Sequence, residues 1–179
     1  MRNETRKIVL TSLFIAIGVI LPTLFFNQQI ATMFSPMHIP VILCGFLLGW
    51  KYGMIAGVIT PLLRSLIFTL PPLIPIALAM SFELATYGLI AGLLYKLLPI
   101  KVNVVRIYLS LLSAMILGRL MFGLVLSIYF SLQNNVYTFS AFISATVISA
   151  IPGIILQLIL IPILVIYLNK IVEHKKENL

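Results

Sequence analysis

The segment HIPVILCGFLLGWKYGMIAGVITPLLRSLIF, which runs from His38 to Phe68, contains two apolar runs that meet at a glycine-rich corner. The segment has three basic side chains, His38 at its start, Lys51 and Arg64, and no acidic one. A bilayer core about 30 Å thick needs about 20 predominantly apolar residues in a helix. The runs 38–50 and 52–68 therefore predict two membrane helices. The first is short, so it is tilted, half-buried, or fused to the second across the corner.

The composition of the whole chain supports the same class of protein. Of its 179 residues, 61% are hydrophobic and 9% are charged, and the mean hydropathy is +1.17. A soluble domain carries about 25% charged residues. We therefore predict an all-α integral membrane protein with six transmembrane helices, forming a single domain over residues 1–179. The other apolar runs cover residues 8–26, 76–95, 104–130 and 140–170.

Basic residues occupy every second connection between the apolar runs. They precede the first run, separate the second from the third, follow the fourth and close the chain. The alternate connections, 27–37, 69–75 and 131–139, contain no Lys or Arg. Because cytoplasmic loops carry an excess of Lys and Arg, both termini are expected in the cytoplasm. The net charge of +8 thus indicates membrane topology rather than a nucleic-acid surface, which needs clustered cations in polar surroundings.

Four ionisable residues, His38, Arg64, Glu83 and Arg119, lie inside the apolar runs. Such residues are costly in hydrocarbon and mark a functional site or a partner. At about 1.5 Å per helical residue, all four fall in the outer half of the membrane. One glutamate cannot neutralise two arginines, so we expect a guanidinium, Arg119 first, to bind a ligand anion or carbonyl. In the alternative, Glu83 merely pairs with an arginine and holds the helices together.

Neutral polar residues complete the predicted site. Asn134 lies in an outer connection, and Gln157 lies inside the last apolar run. An apolar pocket with a few convergent polar groups is typical of small-ligand sites. For Gln157, a hydrogen bond to a neighbouring carbonyl is the structural alternative. The predicted substrate-binding residues are Arg119, Arg64, Glu83, His38, Asn134 and Gln157.

Small residues recur at intervals of four and allow helix backbones to approach closely in lipid. Those in the second to fourth runs are best interpreted as packing within the protein. Ser12 and Ala16 form a similar strip on the first helix. This strip either packs inside the protein or docks to another membrane subunit. The small residues that recur in the second to fourth runs are Gly45, Gly49, Gly53, Gly57, Gly88 and Gly92.

The motifs of common enzymes are missing from the sequence. It contains no GxxxxGK[ST] loop for nucleotide phosphates, no HExxH or GxSxG motif, and no Asp. Its single cysteine, Cys44, provides no CxxC or zinc-type spacing. We therefore predict that the chain is not an enzyme and has no catalytic residues, metal or cofactor.

Several motifs resemble the substrate-binding S component of energy-coupling factor (ECF) vitamin transporters, and the resemblance spans nearly the whole chain. The family commonly carries an Ala-xxx-Ala docking motif in helix 1, and Ser12 and Ala16 occupy the matching positions here. The other motifs are MHIPV at 37–41, GWKYG at 49–53, TPLLRS at 60–65, PP at 71–72, FELATYG at 82–88 and PGIILQ at 152–157.

The resemblance implies a high-affinity vitamin binder in the bacterial cytoplasmic membrane. It implies partnership with a transmembrane T subunit and two cytoplasmic ATPases, which would hydrolyse the ATP. The ligand would bind near the outer face and be released inside as the S component topples in the membrane. Within the family, the arginine surplus favours an anionic vitamin, and the loop pattern most resembles the pantothenate-type members, with pyridoxine or hydroxymethylpyrimidine types next.

Two other classes of protein are the alternatives. A stand-alone small secondary transporter or channel also uses buried charges, but it is expected to show internal repeats or a polar path through both halves of the membrane. A membrane enzyme would need a nucleophile or a metal-ligand set. Transport without partner subunits would favour the stand-alone transporter, whereas binding without transport would favour the S component.

Overall fold

The structure is a computed structural model that describes residues 2–25, 33–133 and 151–177. These residues form α-helices joined by short connections, and none of the described residues lies in a β-strand. A 3₁₀ turn, Leu21–Leu24, continues the first helix, and a π-helical turn, Leu73–Ala77, leads into the fourth. The helices are α1 (Arg2–Ile20), α2 (His38–Leu48), α3 (Trp50–Phe68), α4 (Leu78–Leu97), α5 (Asn103–Leu132) and α6 (Ile151–Glu177).

The all-α membrane architecture predicted from the sequence is confirmed. Five of the described helices are long and apolar enough to cross a membrane. The sixth, α2, has 11 residues and is too short to do so as a straight helix. The part of the last predicted run before residue 151 lies outside the described residues. From there, α6 continues through Pro162 without ending.

The short helix α2 lies at the centre of the bundle. It packs against α1, α3, α4 and α6, and every residue from His38 to Phe46 is buried. Because its neighbours shield it from lipid, α2 needs no full membrane span of its own. The sequence left open a tilted, a half-buried or a fused helix, whereas the structure shows a separate helix that its neighbours enclose.

Gly49 separates α2 from α3. Its φ of 102° and ψ of 166° lie in a region that side-chain-bearing L-residues rarely adopt. The backbone N–H of Gly49 donates to Gly45 at 3.1 Å, and that of Gly53 donates to Gly49 at 3.1 Å. The corner thus reverses the chain while keeping the adjoining helix ends hydrogen-bonded.

Glycines bring α2, α3 and α4 into backbone contact. A Cβ atom on Gly88 of α4 would lie 2.2 Å from the carbonyl oxygen of Gly53 in α3. One on Gly45 of α2 would lie 2.5 Å from the carbonyl oxygen of Gly88. The predicted packing role is therefore confirmed for the glycines of the repeat other than Gly49, which has no atom within 4 Å of its Cβ position. This close approach places the middle of α4 beside the end of α2 and the start of α3.

We predict that Gly88→Ala destabilises the protein. The added methyl group would meet backbone atoms, which cannot rotate away, and overpacking of this kind costs about 1–3 kcal/mol. A lower melting temperature of the purified variant in detergent would be the expected result. Thr86→Ala is the matched control, because the Thr86 hydroxyl bonds only to the Phe82 carbonyl of its own helix among the described contacts. Equal melting temperatures for the two variants would contradict the close-packing account.

The membrane orientation remains a prediction that labelling can test. A cysteine introduced at Thr69, or at Gln29 or Asn134, should react with a membrane-impermeant thiol reagent on intact cells. The native Cys44 is fully buried and should stay silent. Labelling at the Lys51 or Lys101 positions instead would contradict the predicted orientation.

Candidate functional site

The carboxylate of Glu83 joins α2, α4 and α5. It is buried, with 1% of the side chain exposed, and one of its oxygens, Oε1, has three partners. Nη1 of Arg119 in α5 lies 3.0 Å away, and Nε2 of His38 in α2 lies 3.5 Å away. The hydroxyl of Tyr87, one turn along α4, donates at 3.0 Å. We call these four residues the Glu83 cluster.

The orientation of His38 follows from its second ring nitrogen. Nδ1 lies 3.1 Å from the carbonyl oxygen of Ser35. Because a carbonyl oxygen can only accept, Nδ1 carries a hydrogen in this contact. Nε2 lies 3.5 Å from Oε1 of Glu83 and makes no hydrogen bond to any described residue. The ring is thus held through Nδ1, and Nε2 faces the carboxylate.

Sequence reasoning missed Tyr87, and a glycine explains how it reaches the carboxylate. The Tyr87 ring lies directly against the backbone of Gly118 in α5, where a Cβ would come within 2.0 Å of the ring. The ring also packs against His38, with centroids 5.4 Å apart. The signal available in the sequence was the spacing of Tyr87 from Glu83, since residues four apart share a helix face.

Arg119 uses only part of its guanidinium to bind Glu83. Its ion pair runs through Nη1, whereas Nε is buried and makes no hydrogen bond to any described residue. Nε and Nη2 lie together on another edge of the planar group, and this edge is suited to planar acceptors such as a carboxylate. Arg119 can thus hold Glu83 and still present its Nε–H to a second group.

Arg64 does not join the Glu83 cluster. Its Nη1 donates to the carbonyl oxygen of Val19 at 2.6 Å, and its guanidinium lies over the Phe68 ring at 5.3 Å. Pro22, three residues after Val19, lacks the N–H that a 3₁₀ turn would supply to this carbonyl. Arg64 therefore satisfies a carbonyl at the end of α1. The sequence did not reveal which arginine pairs with Glu83, and the structure identifies Arg119.

Gln157 is buried within α6, and neither atom of its amide makes a hydrogen bond to a described residue. The alternative expected from the sequence, a bond to a neighbouring carbonyl, is therefore absent from the described structure. Asn134 lies outside the described residues. The structure thus brings together His38, Glu83 and Arg119 of the predicted set, and the ligand roles of all six residues remain predictions.

The chain matches a known protein family. A family model described as the substrate-specific component of ECF transporters matches residues 6–165. The chain belongs to this family. Neither the comparison with curated proteins nor that with solved structures found a significant match. Members of the family are substrate-binding components of transporters rather than enzymes, so the chain is the membrane-embedded S component of an ECF transporter.

The S component presents Ser12 and Ala16 on an exposed face of α1. The Ser12 hydroxyl donates to the carbonyl of Ile8 in its own helix at 3.1 Å, so it bonds no other helix here. Gly18, on another face, packs inward against Thr60. The strip therefore does not serve packing within the described bundle, which leaves docking as its remaining predicted role.

A histidine and a carboxylate, two kinds of side chain that bind metal ions, lie together in the Glu83 cluster. Among the described residues, no three His, Cys, Asp or Glu side chains lie close enough together to hold a metal ion. The Glu83 cluster has two of these side chains, and both already face partners. Its chemistry is that of charge pairing and hydrogen bonding, which suits the binding of an organic ligand.

Proposed function

We propose that this S component binds a small vitamin or vitamin precursor that carries a carboxylate, and that Arg119 receives the carboxylate. Pantothenate is the favoured ligand, and pyridoxine or hydroxymethylpyrimidine comes next. The proposal rests on which nitrogens of the Arg119 guanidinium have partners. Nη1 faces Glu83, while Nε has no hydrogen-bond partner among the described residues. A guanidinium fixed by one carboxylate is preorganised to bind another.

The arginine surplus supports an anionic ligand. Two arginines, Arg64 and Arg119, lie inside the apolar runs, but Glu83 pairs only with Arg119, so one positive charge has no matching carboxylate there. Charges in hydrocarbon are expensive unless they are paired. A singly charged carboxylate would neutralise this excess, whereas pyridoxine and hydroxymethylpyrimidine lack a carboxylate. This difference is the physical reason for placing pantothenate first.

Delivery into the cell would depend on partner subunits. The family implies association with a transmembrane T subunit and ATPases, and the sequence has no phosphate-binding loop of its own. We propose that two cytoplasmic ATPases supply the energy, that the exposed strip on α1 docks to the T subunit, and that the complex works in a bacterial cytoplasmic membrane. The ligand would enter from the outer side, where the predicted topology places the Glu83 cluster.

Arg119→Lys tests the ligand role without removing the charge that Glu83 needs. Lysine can still pair with Glu83, but it has no second planar edge. Truncating one partner of a buried charge pair costs about 2–5 kcal/mol, so Arg119→Ala should weaken pantothenate binding roughly 30-fold or more, and Arg119→Lys should recover only part of this loss. Arg119→Ala should lower the melting temperature as well, because it leaves Glu83 without its arginine.

The matched control is Arg106→Lys on the same helix, about 20 Å away at 1.5 Å per residue. Its affinity for pantothenate should equal that of the wild type. Panthenol, which has a hydroxymethyl group in place of the carboxylate, should bind the wild type more weakly than pantothenate does. That preference should shrink in Arg119→Lys. A folded Arg119→Lys protein with wild-type affinity for pantothenate would remove Arg119 from the ligand site.

Uptake by cells tests the partnership. Co-expressed T and ATPase subunits should be required for uptake, while binding should need the S component alone. Leucine at both Ser12 and Ala16 should block close approach of another helix and reduce uptake with binding intact. Thr86→Leu, which enlarges a residue on the surface of α4, is the control and should leave uptake unchanged. Uptake by the S component alone would instead indicate a stand-alone transporter.

A further inference from the structure

Gln157 is a buried amide that the described protein leaves unbonded. The residue has 0% of its surface exposed, and both Nε2 and Oε1 lack a hydrogen-bond partner among the described residues. A buried polar group without a partner loses its bonds to water and gains none in return. A methionine of similar shape would avoid this loss, so the amide is costly unless another molecule bonds to it.

The position of Gln157 along α6 places it level with the start of α2. One turn before it, Gly153 packs against the backbone carbonyls of Met33 and Phe34. One turn after it, Ile161 belongs to the same buried cluster as Ile39 and Ile42 of α2. Residues four apart lie on one face of a helix. Gln157 therefore faces α2 between these two levels, which is the level of His38.

Two kinds of polar side chain lie near the level of His38: the charged groups of the Glu83 cluster and the uncharged amide of Gln157. In the Glu83 cluster, charged groups face each other, and the buried Nε of Arg119 is unbonded. Gln157, on α6, is uncharged and has both a donor and an acceptor available. A carboxylate would satisfy only the donor, and its oxygens would repel Oε1 of Gln157. A hydroxyl or an amide can satisfy both atoms, because each can donate and accept.

We infer that Gln157 binds an uncharged hydroxyl or amide of the ligand, separate from the carboxylate that Arg119 receives. This inference rests on the proposed function and narrows the substrate class. The ligand is then a hydroxy or amido carboxylic acid, and an acid with a wholly apolar remainder does not fit. Pantothenate has both hydroxyls and an amide in addition to its carboxylate.

The test exploits opposite effects on stability and on binding. In the full-length protein purified in detergent, Gln157→Met removes an unbonded amide while nearly keeping the volume. Its melting temperature without ligand should equal or exceed that of the wild type. Its affinity for pantothenate, measured by isothermal titration calorimetry, should fall at least tenfold. Gln157→Asn keeps the amide but withdraws it by one methylene group, and its affinity should fall as well.

Asn169→Leu is the matched control on the same helix. The amide of Asn169 donates to the Tyr95 hydroxyl at 3.2 Å, so it is bonded within the protein. Its removal should lower the melting temperature and leave pantothenate affinity unchanged. This is the reverse of the pattern expected for Gln157→Met.

The possible outcomes separate this inference from the proposed function. If wild-type protein does not bind pantothenate, whether or not it binds pyridoxine or hydroxymethylpyrimidine, the proposed carboxylate ligand is wrong and the inference falls with it. If wild-type protein binds pantothenate and Gln157→Met binds it equally well, only the inference is overturned. Unfolding of both Gln157 variants would also overturn it, since the amide would then be needed for stability.

Discussion

The structure depends on placing one carboxylate, that of Glu83, inside an apolar helix bundle. An isolated charge there is strongly unfavourable, and the three partners on Oε1 come from α2, α4 and α5. Satisfying this carboxylate therefore fixes three helices relative to one another. The same contacts orient His38 and Arg119, so the structural requirement also prepares the proposed binding site. Arg119 takes part in both roles, because one of its nitrogens pairs with Glu83 and another is available to a ligand.

Close backbone packing makes this convergence possible. Glycines let α4 touch α2 and α3, which brings Glu83 within reach of His38. Gly118 does the same for α5, because it leaves room for the Tyr87 ring beside Arg119. A short helix at the centre of the bundle is part of the same arrangement. Since α2 is shielded by its neighbours, its length is set by the corner at Gly49 and not by the thickness of the membrane.

Much of this arrangement was predictable from the sequence, because hydrophobic runs, glycine intervals and isolated ionisable residues are local patterns. They predicted the helices, the packing role of Gly88, and the candidate residues Glu83 and Arg119. The partner of Arg64 was not predictable. It is a backbone carbonyl far away in the sequence, and any residue type could have supplied it. Tyr87 was missed because its one signal, a spacing of four residues from Glu83, does not by itself show that the hydroxyl reaches the carboxylate.

The central claim, that the Glu83 cluster receives the carboxylate of a small ligand, is tested most directly by letting the protein select its ligand. Purified wild-type protein would be incubated with a bacterial metabolite extract, washed and denatured, and the released compounds identified by mass spectrometry. The account predicts enrichment of a carboxylic acid that also carries a hydroxyl or an amide, and loss of that enrichment with Arg119→Lys. Enrichment of the same compound by both proteins, or of a compound without a carboxylate, would contradict it.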